Sequence, residues 1–102
     1  MAVVGSVRFR VAPGKSAEAT AYLGRLAAHL KSVNGNDYRV LTQLAGPVGH
    51  LMIASTWDNI AAWDAARLKN AADAGFQKMA GDAAAAELWV PGTTESALWQ
   101  DV

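Results

Sequence analysis

The sequence predicts an α+β domain in which a four-stranded antiparallel sheet carries its helices on one face. Three observations predict it. The apolar run His50–Trp57 is of strand length, is bounded by Gly49 and Asp58, and passes almost without interruption into a helical pattern through Arg67. The chain reads strand, helix, strand, strand, helix, strand, in two similar halves of roughly 3–44 and 50–102. The third strand is apolar on both faces, with Leu51, Ile53 and Trp57 pointing one way and Met52 and Ala54 the other.

Each element has its own signal. Val3–Val11 is the first strand, alternating strictly at its end so that Val7, Phe9 and Val11 share one face and Ser6, Arg8 and Arg10 the other. Ala12-Pro13-Gly14-Lys15 turns the chain, because proline presets φ and glycine tolerates a positive value; Ser16 is placed to cap the helix that follows. In that helix Ala19, Leu23, Leu26, Leu30 and Val33 recur at alternating steps of four and three, which makes one stripe for the core. Asn34-Gly35-Asn36-Asp37 closes it, since glycine and asparagine tolerate the left-handed conformation that ends helices. Tyr38–Leu44 reads as the second strand and Ala45–Gly49 as the loop that returns the chain into the third.

After the third strand Asp58 is the expected N-cap, its carboxylate suited both to a free amide and to the positive end of the helix dipole. Ile60, Trp63, Ala66 and Arg67 mark the second helix, which ends near Lys69-Asn70. Gly75 and Gly81 interrupt the next alanine-rich segment, where Phe76, Met79, Ala80 and Ala83 keep helical spacing, so a broken pair of helices is expected. Pro91-Gly92 leads out to Glu95–Val102, the weakest strand, suited to an edge or to reaching a partner. With right-handed crossovers this βαββαβ order gives the ferredoxin-like arrangement. Helices cover one sheet face, and a second copy laying its own sheet against the other would cover the rest, so a homodimer is expected.

Length and composition set bounds. A chain of 102 residues makes a single domain, 1–102, small enough to gain from burying surface against a partner. Hydrophobic residues are 52% of it, but much of that is alanine, which favours helix and buries little area. The absence of cysteine removes disulfides, thiolate metal sites and a cysteine nucleophile, and fits a reducing cytoplasm. No apolar run reaches membrane-spanning length and Met1–Ser6 lacks the charged start of a signal peptide, so a cytoplasmic protein with no membrane partner is expected. Nine basic residues balance nine acidic ones, which offers nothing to nucleic acid. Charge is unevenly spread: up to Arg39 there are six basic against two acidic residues, and the remainder has three against seven. A mixed solvated surface accounts for this; the functional alternative places Arg8, Arg10 and Arg39 together on one sheet face.

Val7–Lys15 with Glu18, and Ser55–Trp63, are similar to the first strand with its turn, and to the tryptophan-ended strand with its short helix, of one known group. In these the chain resembles the dimeric α+β barrel superfamily, which includes the antibiotic-biosynthesis monooxygenase family and NIPSNAP-like proteins. The resemblance implies a ferredoxin-like subunit, a dimer made by packing sheets, and a pocket between sheet and helices. Members include cofactor-independent oxygenases of aromatic polyketides, haem-degrading enzymes, chlorite-dismutase-like enzymes and muconolactone isomerases. Haem degraders are similar in using an asparagine on the first strand, a tryptophan ending the third and a histidine on the next helix. Here only Trp57 matches, with arginines on the first strand and no histidine on the second helix, so no haem and no other cofactor is implied.

Candidate chemistry is sparse. Tyr22, Arg25 and His29 fall at steps of three and four and share a helix face. His29 and Tyr22 are the candidate catalytic residues, able to exchange a proton with a phenolic substrate; the plain alternative for His29 is a helix-edge residue at the solvent boundary. Trp57 and Trp63, with Phe9 and Arg67, are the candidate ligand-binding residues, the flat rings stacking on a planar compound; the alternative is that the tryptophans fill core. Trp89 and Trp99 suit anchors for the C-terminal segment or the dimer seam, and His50 a loop end. Two histidines without cysteine or ligand-pair spacing predict no metal site. There is no glycine-rich phosphate loop, no nucleophile elbow and none of the aromatic pattern of RNA-recognition sheets. The expected function is binding or conversion of a small hydrophobic or aromatic compound, as a cofactor-independent monooxygenase or isomerase. The alternative is a non-catalytic dimerisation or ligand-binding module.

Overall fold

The computed structural model describes residues 1–102 and forms β1 (Val3–Arg10), α1 (Ser16–Asn34), β2 (Arg39–Thr42), β3 (His50–Trp57), α2 (Ile60–Ala72), α3 (Ala74–Ala85) and β4 (Glu95–Gln100). The strands lie in the order β2-β3-β1-β4, every pair antiparallel. This is the ferredoxin-like arrangement the element order predicts. β1 is central because both halves pair against it: Val7 lies opposite Ile53 on one side and Ser96 on the other.

The alternation in β3 sorts its side chains as read. Leu51, Ile53 and Ser55 are buried beneath the helices, while Met52 and Ala54 are half-buried on the far face. The α1 stripe supplies the other half of the core, with Ala19, Tyr22, Leu23, Leu26 and Leu30 buried and Leu23 wholly so. Each such leucine contributes about 1.5–3 kcal/mol of burial. Only 13 of the 102 residues are buried, so the core is a single thin layer between sheet and α1. The opposite sheet face has no helix. There the register sets Val4 beside Trp99, 39% and 66% exposed, and carries Arg8, Arg10 and Arg39 on the same face, with Arg39 two strands away from the other two. Arg8 is paired at 2.6 Å with Glu95 on the neighbouring strand.

Several boundaries differ from expectation for local reasons. α1 begins on Ser16 itself, with Lys15 at the cap position and no side-chain cap. The turn closes through the Lys15 N–H on Ala12, and the Lys15 carbonyl already accepts the first helical bond from Ala19. α2 is capped by Asn59, one residue after Asp58: its extended backbone lets Oδ1 accept the Ala62 N–H at 2.8 Å. The helix pair breaks at Asp73, and α3 runs through both Gly75 and Gly81. A carboxylate that caps the Phe76 N–H starts a new helix more decisively than a glycine ends an old one. β2 ends at Thr42; the Gln43 N–H still reaches His50 O at 3.2 Å, its side chain turns to the Ala45 carbonyl, and Leu44 beyond it is exposed. The end of α1 is as expected, with Gly35 at φ 82° donating its N–H to Lys31.

Candidate functional site

Helices α2 and α3 face the sheet with small side chains, Ala71, Ala80 and Ala83 among them, and so do not fill the space beneath them. What remains is a cavity of about 760 Å³ between sheet and helices, lined chiefly by apolar side chains. Its floor is the inward face of β1 and β3, including Gly5, Phe9, Ile53 and Trp57. Ser96 and Leu98 line it from β4, where both are exposed, so the cavity opens along that edge. Gly5 admits the α2 helix: a Cβ built there would stand 3.0 Å from Trp63 Nε1 and 3.2 Å from its Cδ1.

One end of the cavity is aromatic. Phe9 and Trp89 stack with ring centroids 4.4 Å apart, and Tyr22 meets Trp89 edge-on at 6.0 Å. Such offset and edge contacts suit the ring quadrupoles and hold the wall rigid. The Tyr22 phenol is pushed above its usual pKa, mainly by burial and further by the negative charge of Asp82, against an opposing pull from Arg25. It therefore stays protonated at neutral pH. The other end is polar. Tyr38 stands edge-on to Trp57 at 6.1 Å, and the Trp57 indole N–H donates to Ser55 Oγ at 2.8 Å. The Tyr38 hydroxyl accepts from Asn34 Nδ2 at 2.9 Å and from Asn70 Nδ2 at 3.4 Å. Arg67 lies over the Trp63 ring at 5.7 Å, with Nε and Nη2 both donating to Asp64.

The structure thus brings Phe9, Trp57, Trp63, Arg67 and Tyr22 to one cavity. His29 is not part of its wall. Its Nε2 lies 2.6 Å from Asp73 Oδ2, the same oxygen that accepts the Phe76 N–H at 2.7 Å. These two bonds, His29 first, hold the Asp73 carboxyl below the usual carboxylate range. The imidazole rests against Gly75, where a Cβ would come within 2.6 Å of the ring. Two residues on one helix face therefore part company, Tyr22 entering the cavity and His29 pinning α1 to the junction of α2 and α3. Sequence reasoning missed Tyr38, Asn70 and Ser55, and read Trp89 as an anchor for the tail. No group of three or more His, Asp or Glu side chains is placed to hold a metal ion, and no helix is long and apolar enough to cross a membrane.

Fold and cavity together define a ferredoxin-like α+β domain with a ligand-sized space between sheet and helices. More particularly, the fold is the one seen in solved structures of NIPSNAP family proteins and of antibiotic-biosynthesis-monooxygenase-like proteins. A NIPSNAP family protein from Agrobacterium tumefaciens superposes with a TM-score of 0.80 at 16% identity, over 100% of this chain and 94% of its own. SnoaB, a cofactor-independent oxygenase from Streptomyces nogalater, gives 0.68 at 23% identity, over 98% and 92%. A Deinococcus radiodurans protein provisionally classed as an antibiotic biosynthesis monooxygenase gives 0.70 at 18%, again over 98% and 92%. At these identities the likeness is one of fold. No protein-family profile matches the chain, and no curated protein matches it in sequence.

Proposed function

We propose that the protein binds a small planar, largely apolar compound in the sheet–helix cavity and converts it as a cofactor-independent oxygenase or isomerase. The cavity carries the reading. Its volume of about 760 Å³ falls within the roughly 300–1,000 Å³ of small-molecule sites, which are apolar clefts with a few convergent polar groups. Phe9, Trp57 and Trp63 supply flat faces to stack on such a compound, and Arg67 a positive charge near its rim.

Tyr22 is the group placed to act. Held protonated beside the Phe9–Trp89 stack, it donates to an oxygen on which negative charge develops. An isomerisation needs only a proton moved. In an oxygenation, dioxygen converts the CH₂ of an anthrone-like phenol to C=O, and its second oxygen atom leaves as water with the two hydrogens. That one fold neighbour is described as a cofactor-independent oxygenase supports this class. His29 serves as a positioning residue, through the α2–α3 junction.

A second copy of the chain is the proposed partner, seated on the open sheet face where Val4, Met52, Ala54 and Trp99 remain uncovered by helices. The lack of cysteine supports a reducing, cytoplasmic setting. The test is oxygen uptake and product formation with a panel of anthrone- and quinol-like phenols, in the parent and in Tyr22→Phe. Loss of one general acid costs about 10²–10⁴-fold in rate, so turnover falls by at least about 100-fold while binding persists. Binding without turnover in the parent leaves a non-catalytic binder. The absence of both leaves a module that only dimerises.

A further inference from the structure

The polar end of the cavity has its hydrogen bonds fixed in one direction by the backbone. The Asn36 N–H donates to Asn34 Oδ1 at 3.0 Å, which settles which way the Asn34 amide faces. Asn34 Nδ2 must then donate, and it does so to Tyr38 Oη and to Asn70 Oδ1, each at 2.9 Å. That makes Oδ1 of Asn70 the acceptor and leaves its Nδ2 as a donor, directed at the same Tyr38 oxygen from 3.4 Å. Tyr38 Oη therefore receives two N–H groups, and its own hydrogen has no acceptor in the protein. A hydroxyl offers one hydrogen and two lone pairs. With both lone pairs engaged, Tyr38 can only give.

We infer that this end of the cavity is a donor subsite, formed by Tyr38 and Asn70, that takes an acceptor oxygen of the ligand: a ring ketone or a phenolate. Tyr38 and Asn70 both line the cavity, as does Arg67, whose guanidinium is paired with Asp64. The Asn34 and Asn70 oxygens each already accept one N–H, whereas the Tyr38 hydrogen has no partner, so a ligand acceptor gains the most at this point. A planar compound lies with its reacting edge at Tyr22, beside Phe9 and Trp89, and an acceptor oxygen of its opposite edge toward Tyr38. This inference rests on the cavity being the ligand site, and it narrows the ligand from any planar apolar compound to one carrying an exposed acceptor.

Fluorenone and fluorene test it, since they share one planar skeleton and differ by a carbonyl in place of a methylene. Calorimetric or tryptophan-fluorescence titration of the full chain gives both affinities. One added hydrogen bond in a desolvated site corresponds to about tenfold, so fluorenone binds about tenfold more tightly than fluorene. Tyr38→Phe removes that gap and leaves fluorene unchanged. Asn70→Asp, at a half-buried position on α2, puts a carboxylate where the amide donated; it also weakens fluorenone selectively, and supplies the answer should Tyr38→Phe unfold. Equal affinity for the two probes, or a gap that survives in a folded variant, overturns the subsite while the cavity reading stands. If neither probe binds, both fall together.

Discussion

Gly5→Ala tests the contact that sets the height of the cavity. A methyl group at that position would stand 3.0 and 3.2 Å from two atoms of the Trp63 indole and 3.8 Å from Ser55 Oγ. The first two distances are tighter than ordinary contact, so the indole must move by a few tenths of an ångström. Overpacking of this kind costs about 1–3 kcal/mol. Gly5 is not among the glycines with positive φ, so alanine fits the backbone, and the narrower unfolded ensemble returns about 0.4–1 kcal/mol. The net loss is about 1 kcal/mol, or roughly 4–8 °C in Tm for a domain of this size. With the indole removed first, only the favourable part remains: in a Trp63→Ala background Gly5→Ala stabilises by about 0.4–1 kcal/mol. Urea unfolding of the four proteins in this cycle measures the reversal. The same change in both backgrounds would refute the contact.

The acid limb of stability reads out the Asp73 cap. Its folded pKa lies below the unfolded value of about 3.9, held there first by His29 and then by the Phe76 amide. The carboxylate therefore adds stability above that pH and loses it as pH falls through the lower folded value. Tm drops more steeply below about pH 4 in the parent than in Asp73→Asn; parallel curves would contradict the cap. At the alkaline end Tyr22 behaves in the opposite sense, since its raised folded pKa gives stability that is present below about pH 10 and fades as pH rises through the folded value. Tyr22→Phe removes from an ultraviolet titration a phenolate step that lies above the usual value of about 10, and loss of a step at that usual value would place the ring in water. Trp99→Glu charges the open sheet face at a position 66% exposed, so folding is kept while sedimentation velocity shifts from dimer to monomer. A parent that sediments as a monomer would remove the proposed partner.

The sheet was legible because its signals are short-range. Strict alternation in Val7–Val11, the one-stripe spacing from Ala19 to Leu30, and the strand-to-helix change after Trp57 each depend on neighbours in sequence. Caps were less so, because Asp58 and Asn59 are both good cap residues and the choice turns on which of them keeps an extended backbone. The break at Asp73 was hidden behind Gly75, whose missing side chain answers to the His29 ring rather than to a helix end. The aromatic walls were legible for the same reason as the strands: Phe9 and Trp57 fall on the inward face by period two, and Trp63 and Arg67 lie one turn apart. The polar end was not. Asn34 is 36 residues from Asn70 and reads as a helix terminator, and nothing local announces that Tyr38 brings them together. Tyr22 and His29 share a face by spacing, yet only packing decides that one meets Trp89 and the other Asp73.

A plug in the cavity tests the central claim most directly. Ala80 lines it from α3 and is otherwise exposed, so Ala80→Trp fills the space without displacing the buried layer of Leu23, Leu26 and Ile53. Calorimetric titration with fluorenone is predicted to show binding in the parent and none in Ala80→Trp, whose Tm is equal or higher. Undiminished binding in a folded Ala80→Trp would contradict the account.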